Sequence, residues 1–221
     1  MCRSSSGSQY KAKVDDVHNI EMEVIMSVSL QKGQKVSLSK ENAGLSRVIV
    51  GLGWDEAPRK KAGFFAPKPQ PIDCDASALL LRNGKLMDKS DLIYFGNLRH
   101  RTDTVIHMGD NLTGAGEGDD EQIVVDLANI PQEYDKIVIV VNIYDAVKRN
   151  QHFGMIQNAF IRLVDARNNN EMCRYNLSEN YDNMTAMIFG EIYRYNGEWK
   201  FNAIGQATMD PGLGQLANRY V

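Results

Sequence analysis

The sequence predicts an all-β fold, a β-sandwich of two mainly antiparallel sheets with one or two short helices. Short runs rich in β-branched and aromatic residues recur along the 221-residue chain and are separated by turn residues. Asn-Gly pairs stand between such runs at 83–84 and 196–197, and this pair supplies the positive φ angles of a tight hairpin turn. Helical periodicity is scarce, which disfavours βαβ units.

Strand periodicity begins at residues 26–30. The clearest predicted strands are 47–52, 76–81, 91–95, 122–127, 136–143, 159–164, 185–195 and 199–207. Residues 137–141 (IVIVV) have no polar alternation, as expected of a strand that is covered on both faces. Helices are predicted at 145–156, with Asp145 as the N-cap, and at 213–220.

Composition limits the function. The net charge of −3 gives no general attraction to a phosphate backbone, so we predict no nucleic-acid partner. No run of about 18 uncharged apolar residues occurs, so we predict no transmembrane segment. Three cysteines, Cys2, Cys74 and Cys173, are too few and too widely spaced for a disulfide framework, and we expect a cytoplasmic protein.

Residues 1–25 differ from the rest of the chain. They have neither the apolar run of a secretory signal nor strand periodicity. Residues 22–26 (MEVIM) could be encoded with GGAGG ahead of the second ATG, as in a bacterial ribosome-binding site. We therefore interpret 1–25 as a disordered leader or tag that is not native, and 26–221 as the domain. A native disordered tail is the alternative.

A glycine-rich acidic loop is the most informative segment. Residues 109–121 hold five carboxylates and four glycines without a lysine or arginine. A hard cation with six to eight oxygen ligands would relieve the repulsion, and glycines let backbone carbonyls turn inward, which favours calcium over magnesium. A solvated acidic hairpin is the alternative. Leu112 stands where an EF-hand needs an oxygen ligand, and no GK[ST] ending marks a phosphate loop.

A second acidic element precedes the strand at 76–81. Period-2 alternation places Asp73 and Asp75 on one face and Cys74 on the other. The two acids are either hydrogen-bonded surface groups or part of an oxygen cage with the acidic loop. Cys74 is expected to be a small core residue rather than a reactive thiol.

The chain resembles the TerD domain family of bacterial tellurium-resistance and general stress proteins. The matching strings are residues 26–33, 50–54, 73–78, 109–114 with 118–121, and 189–193 with 197–201. The resemblance implies a β-sandwich that binds calcium, two ions, through the Asp73/Asp75 strand and the acidic loop. It also implies a cytoplasmic role, sometimes at the membrane periphery, in resistance to tellurite, phage or other stresses. The extra residues 1–25 and the basic loop at 55–71 depart from the family pattern and leave the choice of partner open.

The candidate metal ligands are therefore Asp73, Asp75, Asp110, Asn111, Gly116, Glu117, Asp119, Asp120 and Glu121. No catalytic residue is predicted, because the sequence has no GxSxG or HExxH motif and its four histidines are scattered. We expect a calcium-binding sensor or interaction module whose partners are other stress-response proteins. The alternatives are a metal-dependent enzyme acting on a small stress-related metabolite, and thiol-based tellurite detoxification through Cys74 or Cys173.

Overall fold

The computed structural model describes residues 27–40, 42–57, 70–109 and 118–221. In that part of the chain the strands form two six-stranded sheets, and the helices are short. The predicted all-β sandwich is confirmed. The strands are β1 Val28–Leu30, β2 Lys35–Ser37, β3 Arg47–Glu56, β4 Cys74–Leu81, β5 Leu92–Ile93, β6 Val105–His107, β7 Glu121–Asp126, β8 Lys136–Ile143, β9 Ile156–Asp165, β10 Asn170–Asn176, β11 Ala186–Tyr195 and β12 Glu198–Thr208.

The first sheet has the strand order β1-β10-β9-β3-β7-β6, and the second has the order β2-β12-β11-β8-β4-β5. Neighbouring strands pair antiparallel, apart from the parallel pair of β1 and β10. The helices are α1 Ala146–Arg149 and α2 Leu213–Ala217, and one-turn 3-10 helices lie at Lys89–Asp91, Phe153–Met155 and Asn218–Tyr220. None of the described helices is long and apolar enough to cross a membrane.

The main core lies between the two sheets, and alternate residues of each strand point into it. On β4, Cys74 and Ala78 belong to this core, whereas Leu79 belongs to a second cluster on the outer face of the second sheet. There Val140 of β8 and Leu216 of α2 cover it. Strand β8 is therefore buried on both faces, as its unbroken apolar run predicted.

The predicted hairpin turns are confirmed, since φ is 52° and 75° at Asn83 and Gly84, and 51° and 78° at Asn196 and Gly197. The predicted helix at 145–156 is wrong in length, because α1 ends at Arg149 and Asn150 takes a left-handed conformation. Asp145 precedes α1 with φ 51° and makes no side-chain capping bond, so its predicted capping role is also wrong. The predicted helix at 213–220 is present as α2 and the 3-10 turn that follows it.

Candidate metal site

Asp73 and Asp75 lie at the start of β4, at one end of the sandwich. Asp75 is opposite Asn142 in the pairing of β4 with β8, and it is only 4% exposed. The Asp73 carbonyl accepts a hydrogen bond of 2.8 Å from the Tyr144 amide, which extends the strand pairing by one step. The carboxylate of Asp73 lies 3.8 Å from a guanidinium nitrogen of Arg149. Both acids are therefore held by the end of β8 and the segment that follows it.

Cys74 is buried in the main core, as alternation predicted. Burial raises the pKa of its thiol, and the carboxylates of Asp75, Glu121, Asp73 and Asp120 raise it further. All four carboxylates thus contribute to the electrostatic environment near the start of β4, and we call them the acidic cluster. Cys173 is also buried. A buried thiol with a raised pKa holds little thiolate, which disfavours detoxification through Cys74.

Glu121 belongs to the first sheet but bonds to the second. It begins β7, is 2% exposed, and its Oε2 accepts a hydrogen bond of 2.5 Å from the amide of Ala76 on β4. His107 of β6 completes this link, because its Nε2 lies 3.2 Å from the Ala76 carbonyl while its Nδ1 accepts a bond of 3.1 Å from the Gly109 amide. The ring proton of His107 is therefore on Nε2, which donates to Ala76.

The short strand β5 explains why side chains are needed at Ala76. β5 pairs with β4 only at Ala78 and Leu79, so the edge of β4 beside Ala76 has no strand neighbour among the described residues. Buried backbone groups need hydrogen-bond partners. The carboxylate of Glu121 and the imidazole of His107 supply them and join the two sheets beside the acidic cluster.

Asp119 and Asp120 point in different directions. Asp120 accepts a hydrogen bond of 2.8 Å from the Trp54 amide, and its own amide donates to the Leu52 carbonyl at 2.7 Å. Burial raises the pKa of Asp120, the bond from Trp54 acts against this, and the charge of Asp119 adds to the rise. Asp119 instead makes a two-pronged ion pair with Arg162, at 2.6 and 3.1 Å.

Asn142 was not predicted from the sequence. It is 5% exposed, and its Nδ2 donates to Asp75 at 3.3 Å. Its Oδ1 is buried and has no hydrogen-bond partner. The sequence held one indication, because Asn142 is a polar residue that directly follows the apolar run at 137–141. The Asn142 side chain thus places an oxygen without a hydrogen-bond donor beside the Asp75 carboxylate. A hard cation that takes oxygen ligands would satisfy it.

Not all the predicted ligands can be placed. Asp110, Asn111, Gly116 and Glu117 lie outside the described residues. Within the described residues no three His, Cys, Asp or Glu side chains are arranged so that they could hold a metal by themselves. The described residues therefore contain only part of the predicted ligand set.

Comparison with known proteins assigns the family. Residues 26–220 match the model of the TerD domain. The chain belongs to the TerD domain family. It is 55% identical over 201 residues to stress response protein SCP2 of Bacillus subtilis, covering 89% of this chain and 100% of that protein. It is 49% identical over 196 residues to tellurium resistance protein TerD of Serratia marcescens, covering 88% of this chain and 97% of that protein.

Solved structures share the fold of this TerD domain. The crystal structure of a homologue of telluride resistance protein (TerD) from Streptomyces coelicolor superposes with a TM-score of 0.56 at 21% identity, covering 76% of this chain and 92% of that one. A protein of unknown function, SAV2460, superposes with a TM-score of 0.62 at 22% identity, covering 79% and 95%. The related proteins are named for stress response or tellurium resistance rather than for an enzymatic activity.

Proposed function

We propose that this TerD domain binds calcium at the acidic cluster and acts as a stress-response sensor or interaction module in the cytoplasm. The observation that carries the proposal is the buried pair of Asp75 and Asn142, in which the Asn142 Oδ1 has no hydrogen-bond partner. A cation bound between the two side chains would satisfy that oxygen and the carboxylate together.

The charges at the site support the same conclusion. The charges of four carboxylates raise the pKa of the Cys74 thiol, and Arg149 lies 3.8 Å from one of them, Asp73. Like charges that lie near one another in a buried region raise the free energy of the folded protein, and a divalent cation bound among them would lower it. Calcium accepts a variable number of oxygens at flexible distances, whereas magnesium demands octahedral geometry. A loop that contains four glycines suits calcium better.

We assign five ligands from the described residues: Asp73, Asp75, Asp120, Glu121 and Asn142. The sequence adds oxygen donors at Asp110, Asn111, Gly116 and Glu117, enough to complete the coordination of two ions. Asp119 is omitted because Arg162 already neutralises its charge.

The placement of the ligands supports a sensor. Asp73, Asp75 and Asn142 are held by the second sheet, whereas Asp120 and Glu121 are held by the first. An ion that takes oxygens from both would change how the two sheets pack at this end. A surface that changes with calcium can recruit other stress-response proteins. A cage filled by protein oxygens leaves no open position for a substrate, so we assign a binding role and no catalytic one.

Calorimetric titration with calcium, with magnesium as competitor, tests the proposal. We expect calcium dissociation constants on the order of 10⁻⁷ to 10⁻⁵ M and much weaker magnesium binding. Glu121→Gln should weaken calcium binding. Glu198→Gln is the control, because Glu198 starts β12 at the opposite end of the sandwich and bonds Ser37. Absence of calcium binding, or equal binding of both ions, would contradict the proposal. Affinity capture with calcium and with chelator then identifies calcium-dependent partners.

A further inference from the structure

We propose that Asp119 and Arg162 form a latch that positions Asp120 and Glu121 for metal binding, and that Asp119 is not itself a ligand. The inference rests on the proposed calcium site. It assigns a role to the string at 50–54 (VGLGW), which the sequence singled out and the ligand set does not use.

The latch lies on the outer face of the first sheet. The side chain of Asp119 is 1% exposed, and Arg162 of β9 donates to both of its carboxylate oxygens through Nε and Nη2. Gln122 donates to the same carboxylate at 3.0 Å. Gly51 of β3 lies between these partners, opposite Gln122 on one side and Arg162 on the other. A Cβ atom at Gly51 would overlap the carboxylate of Asp119, so a glycine is needed for the latch to close.

The latch sets the position of the next two residues. The Asp120 amide bonds Leu52, and Glu121 reaches Ala76 on the opposite sheet. A Cβ atom at Gly53 would overlap the ring of Phe160, and it would also lie 3.0 Å from the carbonyl oxygen of Gly118, the residue before Asp119. Asp119 directly precedes Asp120 in the chain. Release of the Asp119 side chain would therefore let the two proposed ligands, Asp120 and Glu121, move.

The charge of Asp119 is already compensated. Its two hydrogen bonds from Arg162 are the largest cause of the raised pKa of that guanidinium. A carboxylate with a two-pronged guanidinium partner and 1% exposure has little attraction left for a cation. Its role is to support Asp120 and Glu121, as residues behind metal ligands commonly do.

Arg162→Gln distinguishes the latch from a purely electrostatic effect, because the two explanations predict opposite changes in calcium affinity. Removing a positive charge near the site should tighten calcium binding if charge alone matters. If the latch holds the loop, the same change should weaken binding by about 10- to 100-fold. Arg174→Gln is the matched control. Arg174 lies opposite Arg162 on the next strand and shares Glu171 with it, but Arg174 stacks on Phe160, whereas Arg162 bonds Asp119. Loss of Arg174 should leave calcium binding unchanged or slightly tighter.

Gly51→Ala breaks the latch without changing any charge, and it should weaken calcium binding in the same direction. Asp119→Asn should also weaken calcium binding. The double variant with Asp119→Asn and Arg162→Gln should lose no more calcium affinity than either single variant. If Asp119 were a ligand, Asp119→Asn would weaken binding while Arg162→Gln would not. That pattern would overturn the inference.

Hydrogen exchange of the metal-free protein provides a readout that does not need calcium. The amide of Asp120 should exchange faster in Arg162→Gln and in Gly51→Ala, and at the wild-type rate in Arg174→Gln. Unchanged exchange in the first two variants would refute the latch. Wild-type protein that binds no calcium would overturn the proposed function and this inference together. Calcium binding that survives Arg162→Gln and Gly51→Ala unchanged would overturn the latch alone.

Discussion

Replacing Asp75 with asparagine is the most direct test of the proposed calcium site. The substitution keeps the size of the side chain and an oxygen that can accept the bond from Asn142 Nδ2, but it removes one negative charge from the acidic cluster. Asp75 is 4% exposed, so solvent screens that charge poorly. The metal-free protein and the calcium-bound protein should therefore respond in opposite directions.

The size of both effects can be estimated. Without metal, relief of repulsion should leave the free energy of unfolding unchanged or raise it by about 1 kcal/mol, the equivalent of roughly one pKa unit. With calcium at about a hundredfold excess over its dissociation constant, the wild type should gain about 2.7 kcal/mol. A tenfold loss of affinity removes about 1.4 kcal/mol of that gain. In a domain of this size each kcal/mol corresponds to about 2–4 °C in melting temperature.

Calorimetric melting curves in chelator and in millimolar calcium measure these changes. Asp126→Asn is the control, because Asp126 ends β7 far from the acidic cluster and pairs with Arg47 at 3.2 Å. It should lower stability slightly in both conditions and keep the full gain from calcium. If Asp75→Asn gains as much from calcium as the wild type, Asp75 is not a ligand and the assigned site is wrong.

Three further predictions concern other parts of the chain. Deleting residues 1–25 should leave melting temperature and calcium affinity unchanged, since the family match begins at residue 26; a truncated protein that fails to fold would show that the segment belongs to the domain. Asn142→Asp should lower metal-free stability by about 1 kcal/mol and tighten calcium binding, because it places a second charge beside Asp75 and adds an anionic ligand; weaker calcium binding by calorimetry would argue against Asn142 as a ligand. Arg167→Gln should lower stability only slightly near neutral pH, because the Arg167 side chain is 41% exposed and solvent screens its ion pair with Asp165. Arg167 lowers the pKa of Asp165, so this contribution is complete above the unfolded value of about 3.9 and disappears as the pH falls through the lower folded value. Urea unfolding at neutral and strongly acidic pH should show the difference vanish in acid, and a cost that persists there would contradict the assigned ion pair.

Local patterns predicted most of the strands. The apolar run at 136–143 matches β8 residue for residue, and the two Asn-Gly turns have the required positive φ angles. These features depend on residues that are close in sequence. β10 was missed because Asn170–Asn176 is largely polar, and its strand conformation is set by pairing with β9 and β1.

Only part of the proposed site could be predicted from the sequence. The sequence predicted Asp75, Asp120 and Glu121 as ligands, because carboxylate side chains and a high glycine content can be read directly from the sequence. Asn142 was missed because its importance comes from lying opposite Asp75, 67 positions away. The pairing of Asp119 with Arg162 spans 43 positions, and nothing in the local pattern links the two residues.

The sequence by itself determined that the chain forms an antiparallel sandwich with an acidic glycine loop, because alternation, turn chemistry and charge density are properties of short segments. Only the tertiary structure decided which carboxylates meet. Strand register places Asp75 beside Asn142. Glu121 bonds the Ala76 amide because the short strand β5 does not extend to that position. The absence of a side chain at Gly51 leaves room for Asp119 to pair with Arg162. These contacts join residues that are distant in sequence, and their geometry follows from the choice of strand neighbours and the packing of one sheet on the other.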